Sequence, residues 1–122
     1  MDKSQAIQKF WEGFDLPAYD ETTVPDDAKL PRITYNVKTD SLDGVVSMNA
    51  SLWYRSKSWK EISQKAEEIS EYISNMMPPS IPIDNGRVYI SKGSPFAQRM
   101  TDPDDSIRRI YLNIQVEFLT AY

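Results

Sequence analysis

Catalysis needs side chains that move protons, hold metals or attack, and this sequence supplies few of them. Its 122 residues include no histidine and no cysteine. That removes the commonest general base, the commonest transition-metal ligands and any thiolate nucleophile. Carboxylates, Lys, Tyr and Ser/Thr remain. The densest carboxylate group is Asp102, Asp104 and Asp105. A calcium loop of the EF-hand type needs Gly at its sixth position and a bidentate Glu at its twelfth. Counted from Asp102, those positions hold Ile107 and Asn113, so the group reads as a solvated turn of ordinary turn residues. The glycines are four and scattered singly, which is too sparse for a phosphate-cradling loop. Arg108-Arg109 reads as a strand-edge solubiliser. No carboxylate pair stands out as a glycosidase couple, because the acids fall in loops or on an exposed helix face. The expectation is a protein without catalytic, cofactor-binding or metal residues: not an enzyme, but a domain that docks on other proteins.

Charge and hydropathy narrow the partners. The formal net charge is −4, a poor balance for neutralising nucleic-acid phosphates. Tyr35 and Tyr54 fall on apolar strand faces instead of a base-stacking surface, so RNA binding is not expected. No apolar run approaches the roughly 20 residues that span a bilayer, and the first residues, MDKSQAIQKFWEGF, are amphipathic and unlike a signal peptide. The length suits one domain over residues 1–122, large enough to bury about two-thirds of its unfolded surface without disulfides.

The elements follow from periodicity. Ile7, Phe10, Trp11 and Phe14 share a helical face over residues 3–14, and Pro17 limits that helix. Residues 15–31 carry three prolines and read as a loop long enough to need a reason. Ile33, Tyr35 and Val37 alternate as a strand, and residues 40–44 read as a turn. In the next strand Val46, Met48, Ala50, Leu52 and Tyr54 take one face and Val45, Ser47, Asn49, Ser51 and Trp53 the other. Ser58-Trp59-Lys60-Glu61 matches a capping box. It opens a helix whose stripe is Trp59, Ile62, Ala66, Ile69, Ile73 and Met76, ended by Pro78-Pro79. Asp84-Asn85-Gly86 carries the Asn-Gly signal of a type I′ turn before a short strand at 87–90. Residues 91–106 read as a long connection. The last strand covers about 107–119, with Ile110, Leu112, Ile114, Val116 and Phe118 inward. The expected fold class is α+β: a mostly antiparallel four-stranded sheet, in chain order α-β-β-α-β-β, with both helices packed on one face.

Two surfaces are candidates for docking. On the outer sheet face, Ser47, Asn49 and Ser51 on one strand and Tyr111, Asn113 and Gln115 on another are polar but uncharged. Depletion of charge with retained aromatics is the composition of interface cores, although a plain solvated strand face has the same residues. In the segment 91–106, Phe96, Arg99 and Met100 are interface-type residues.

These features together resemble a family, the tail terminator (tail completion) proteins of long-tailed bacteriophages. The resemblance rests on chain length and on Leu30-Pro31-Arg32-Ile33-Thr34-Tyr35, which looks like the family's "LPYITY"-type lead-in to the first strand. It rests also on the helix opening Ser58-Trp59-Lys60-Glu61 after the second strand, and on the long final strand holding Ile114-Gln115-Val116-Glu117-Phe118. It covers most of the chain from Leu30 onward. Arg32 departs from the pattern, where an aromatic is expected. The resemblance implies a structural virion protein, assembled in the host cytoplasm, that forms a hexameric ring on the head-proximal end of the tail. Such a ring ends tube polymerisation and provides the head-tail joining surface. The implied partners are other copies of the chain (monomeric before assembly in some cases), the major tail tube protein and a head completion or connector protein. No catalytic residue is carried over. The alternatives are another head-tail connector or minor tail component, a carboxylate enzyme, and a protein-binding module outside phages.

Overall fold

The computed structural model describes residues 1–38 and 45–120; the turn expected at 40–44 lies outside them. Eight elements follow in order: α1 (Lys3–Glu12), β1 (Ala18–Asp20), β2 (Arg32–Tyr35), β3 (Val45–Arg55), α2 (Lys60–Asn75), β4 (Ser80–Ile83), β5 (Gly86–Met100) and β6 (Ile107–Thr120). All the strands join one sheet in the order β1-β2-β3-β6-β5-β4.

This corrects the expected four-stranded antiparallel sheet with helices laid on one face. The sheet has six strands and is mixed, because β1 runs parallel to β2. It also curls into a half-barrel. Helix α1 shows the curl directly, since it touches both β1 and β4, the two outermost strands. The Met1 ammonium lies 2.7 Å from the Asp84 carboxylate, and the Asp84 N–H donates to the Met1 carbonyl at 2.8 Å. The start of α1 is thereby tied to the β4–β5 turn.

Each helix buries the stripe its spacing dictates. In α1, Asp2 accepts from the Gln5 N–H at 2.8 Å while the Gln5 side chain accepts from the Asp2 N–H at 2.9 Å, a complete capping box. Ala6, Ile7, Phe10 and Trp11 are buried behind it. In α2, Ile62, Ala66, Ile69 and Ile73 are buried. The capping box expected there does not form. Trp59 is already helical in backbone (φ −89°, ψ −1°), so the Ser58 hydroxyl accepts from the Lys60 N–H at 3.1 Å instead of from Glu61.

The sheet face inside the curl meets these stripes. β3 and β6 pair in long register, with Met48 opposite Ile114, Ala50 opposite Leu112 and Leu52 opposite Ile110. All six side chains are buried, together with Ile33, Tyr35, Val88, Ile90 and Val116. Each Ile, Leu, Val or Met among them contributes about 1.5–3 kcal/mol when removed from water.

The connections differ from expectation where tertiary pairing supplies what local pattern does not. The 15–31 loop holds β1, and residues 21–31 carry the chain back so that β2 can lie parallel to it; a parallel pair requires such a return. That is the reason for the loop's length. The turn before β5 places Asp84-Asn85, not Asn85-Gly86, at its centre. Only Asn85 has positive φ (64°), so the turn is not type I′. Most of the expected 91–106 connection is strand: β5 runs on to Met100. Its pairing with β6 is interrupted between Lys92 and Ala97, where four residues face Asn113 alone.

Candidate protein-docking face

The outer face of the sheet is ordered in rows, because cross-strand neighbours share a level. Next to the Arg55–Ile107 pair at the β5–β6 turn, the first row to cross four strands reads Arg32, Trp53, Arg109, Met100 across β2, β3, β6 and β5. The next reads Thr34, Ser51, Tyr111, Gln98. Beyond these stand Asn49 beside Asn113, then Ser47 beside Gln115 and Ser91.

In the first row the Arg109 guanidinium lies 4.5 Å from the Trp53 ring centre and 5.9 Å from that of Tyr111, and its Nε–H donates to Ser51 Oγ at 3.1 Å. Arg32 approaches the same indole at 5.9 Å and donates from Nη1 to the Ala28 carbonyl at 3.0 Å. Trp53 donates from Nε1 to Thr34 Oγ1 at 2.9 Å. The row is thus an Arg–Trp–Arg stack whose rotamers are fixed by both stacking and hydrogen bonds.

The asparagines form a second network. The Asn49 N–H donates to Asn36 Oδ1 at 3.0 Å, Asn49 Nδ2 donates to Asn113 Oδ1, and Asn113 Nδ2 donates to the Pro95 carbonyl at 2.9 Å. This chain links the end of β2, β3, β6 and the β5 bulge. It gives the charge-poor composition an internal cause: the amides at 49 and 113 satisfy one another and hold the bulge.

The nine sequence candidates therefore divide. Ser47, Asn49, Tyr111, Asn113 and Gln115 share the outer face as expected, and Met100 joins them through its register with Arg109. Ser51 has their parity but is buried, its hydroxyl accepting from Arg109, so it offers no docking surface. Phe96 and Arg99 turn to the α2 side, where they border a depression of about 400 Å³ with Ala66, Ser70, Ala97 and Ile110. There Arg99 and Arg108 lie 4.7 and 5.4 Å from the Trp59 ring centre. Arg108 and Arg109 thus serve opposite faces of one strand. Their expected role at a strand edge is corrected, because β6 lies inside the sheet between β3 and β5. Arg32 and Trp53 belong to the site although the sequence pattern does not single them out. The signal is faint: an Arg opposite a Trp emerges only once the β2–β3 register is known.

The acidic group at 102–105 forms the β5–β6 turn. Asp102 Oδ1 accepts from the Asp104 N–H at 2.9 Å, and Asp104 Oδ1 accepts from the Ser106 hydroxyl and N–H at 2.6 and 2.8 Å. Those bonds, the hydroxyl first, hold the Asp104 carboxyl below its ordinary value. Among the described residues, no group of three or more acidic side chains is placed to hold a metal ion, and no helix is long and apolar enough to cross a membrane.

No protein-family model matches the chain, and no curated protein matches it. In fold it is similar to a chain of the solved virion of a native gene transfer agent (GTA) particle. The TM-score is 0.62 over 95% of this chain and 93% of that one, at 13% sequence identity. At that identity the likeness shows a shared fold across nearly the whole of both chains.

Proposed function

We propose that this chain is a structural virion protein of a tailed, phage-like particle, and that it caps the head-proximal end of the tail tube. There it ends tube polymerisation and offers the joining surface to the head. The observation that carries the reading is the near full-length fold likeness to a chain of the GTA virion. The strand lead-in Leu30-Pro31-Arg32-Ile33-Thr34-Tyr35 supports it from the sequence side. The partners in this reading are other copies of the chain in a hexameric ring, the major tail tube protein and a head completion protein. The role is structural, with no catalytic step. Compatible with it are an outer face ordered by Arg–Trp stacking and amide bonding, and a β5 strand whose outer half pairs with β6 on one side and, among the described residues, with no strand on the other.

The test adds purified chain to polymerising tail tube protein of the same particle and measures tube length by electron microscopy. The reading expects growth to stop, with extra density at one tube end. Unchanged elongation with no end-bound chain would remove it.

A further inference from the structure

Where the outer face meets the end of the sheet there is an open depression of about 500 Å³. Its lining includes Lys29, Leu30, Arg32, Trp53, Arg55 and Ile107. Three of these are cations and none is an acid. Among the described residues, no carboxylate lies within 4.0 Å of Lys29, Arg32, Arg55 or Arg109. The Arg32 Nε atom is buried and has no hydrogen-bond partner. Arg55 Nη1 donates to the Ser106 hydroxyl at 3.2 Å and feels the Asp104 charge, yet none of the four makes an ion pair, so a chain of net charge −4 has gathered cations without carboxylate partners around one tryptophan.

We propose that this depression seats an acidic side chain, Asp or Glu, from a segment of a partner protein. Arg32 and Arg55 pair with its carboxylate, Trp53 forms the apolar wall, and Arg109 takes a neighbouring acid across the indole. Charge complementarity selects the carboxylate, and geometry selects a protein source. Arg32 spends one Nη1–H on the Ala28 carbonyl and Arg55 one on the Ser106 hydroxyl, which leaves each guanidinium with further Nη–H donors, the match to a planar carboxylate. The nearby Asp102, Asp104 and Asp105 turn and the net negative charge oppose a continuous polyphosphate, whose binding needs an extended positive track. Arg32 and Arg109 are already stacked and hydrogen-bonded, and Arg55 is hydrogen-bonded to Ser106, so ordering them on binding costs little, as in interface hot spots rich in Arg, Trp and Tyr. This inference rests on the outer face alone and stands whether or not the chain caps a tube.

The experiment follows the Trp53 indole N–H in the NMR spectrum of the full chain while hexaglutamate is added, with hexaglutamine and oligothymidylate as comparison probes. Hexaglutamate is expected to shift the Trp53 signal and leave Trp11 unmoved, hexaglutamine to do nothing, and added salt to weaken the effect. In the Lys29→Gln/Arg55→Gln double variant, whose two sites are exposed, affinity for hexaglutamate should fall about tenfold or more, and likewise in Arg32→Gln. Lys9→Gln on α1 should bind as the parent does. Circular dichroism of each variant separates lost binding from lost fold. The inference is overturned if hexaglutamate leaves Trp53 unmoved, if the well-folded double variant binds as tightly as the parent, or if oligothymidylate binds more tightly through the same arginines.

Discussion

Gly86 shows how one residue can be fixed by its neighbour's backbone. A Cβ built there would lie 2.0 Å from the Leu119 carbonyl oxygen, whereas one at Gly13 would meet nothing closer than 3.4 Å. Gly86 is therefore held by the close approach of β6, and a side chain would push the two strands apart. Gly86→Ala is expected to lower stability by about 1–3 kcal/mol, the range of overpacked sites, and Gly13→Ala to change it far less; urea unfolding of both variants checks the contrast. Two buried tyrosines set a second residue-scale expectation. Burial first, and then Asp20 and Glu12, raise Tyr35 above its ordinary 10.0; burial first, and then Glu61 and Glu68, raise Tyr54. A raised tyrosine keeps its proton in the folded chain at a pH where the unfolded chain has lost it. Its contribution is thus fully present below about pH 10 and is lost as pH rises through the folded value. The urea midpoint should fall on the alkaline side, and Tyr35→Phe and Tyr54→Phe should each flatten that fall. A midpoint equally steep in both variants would show that other groups drive it.

At the scale of elements, α2 ties the three longest strands to one apolar stripe, since it touches β3, β5 and β6. Ile69 lies fully buried at its middle. Ile69→Ala should therefore cost about 2–5 kcal/mol through lost burial and the cavity left behind; a thermal melt that barely moves would mean the helix relaxes into the gap. The strength of this stripe is also why α2 is legible from the sequence. Its apolar residues step by three and four, and β3 and β6 alternate as cleanly, so the inner faces of all three are readable from spacing. The three strand segments that escape such a reading have no such period. β1 is Ala18-Tyr19-Asp20 and exists through its parallel pairing with β2. β4 holds Pro82 after Pro78-Pro79 and is tolerated as the outermost strand. The outer half of β5, Gly93-Ser94-Pro95-Phe96-Ala97-Gln98-Arg99-Met100, has little buried on either face to impose alternation. Of the candidate site, the outer-face polar set is legible because parity fixes it. The Arg32–Trp53–Arg109 stack is not, because it depends on which strands are neighbours.

For the molecule as a whole, the fate of the sheet's two margins decides what it can join. At β1 the margin is closed: Gln8 Nε2 of α1 donates to the Ala18 carbonyl at 3.3 Å, and α1 lies against the strand. At the other margin β4 pairs only with Gly86 to Tyr89, so β5 beyond Ile90 has no strand outside it among the described residues. The bulge and Pro95 blunt the middle of that stretch, which is how natural sheets discourage indiscriminate edge pairing. Ala97 to Met100 regain register with β6 and remain straight strand with one side open. An incoming strand from a neighbouring subunit would extend the sheet there and bond the outward backbone groups. In the isolated chain, then, alternate amides of this stretch, those directed away from β6, should exchange with solvent quickly while those bonded to β6 exchange slowly. On a capped tube the fast set should become protected and the slow set should change little. Hydrogen exchange measured residue by residue in both states decides the matter. Outward amides already protected in the free chain would mean that the edge is covered before assembly, and outward amides still fast on the tube would mean that the subunits join through the outer face instead of the sheet margin.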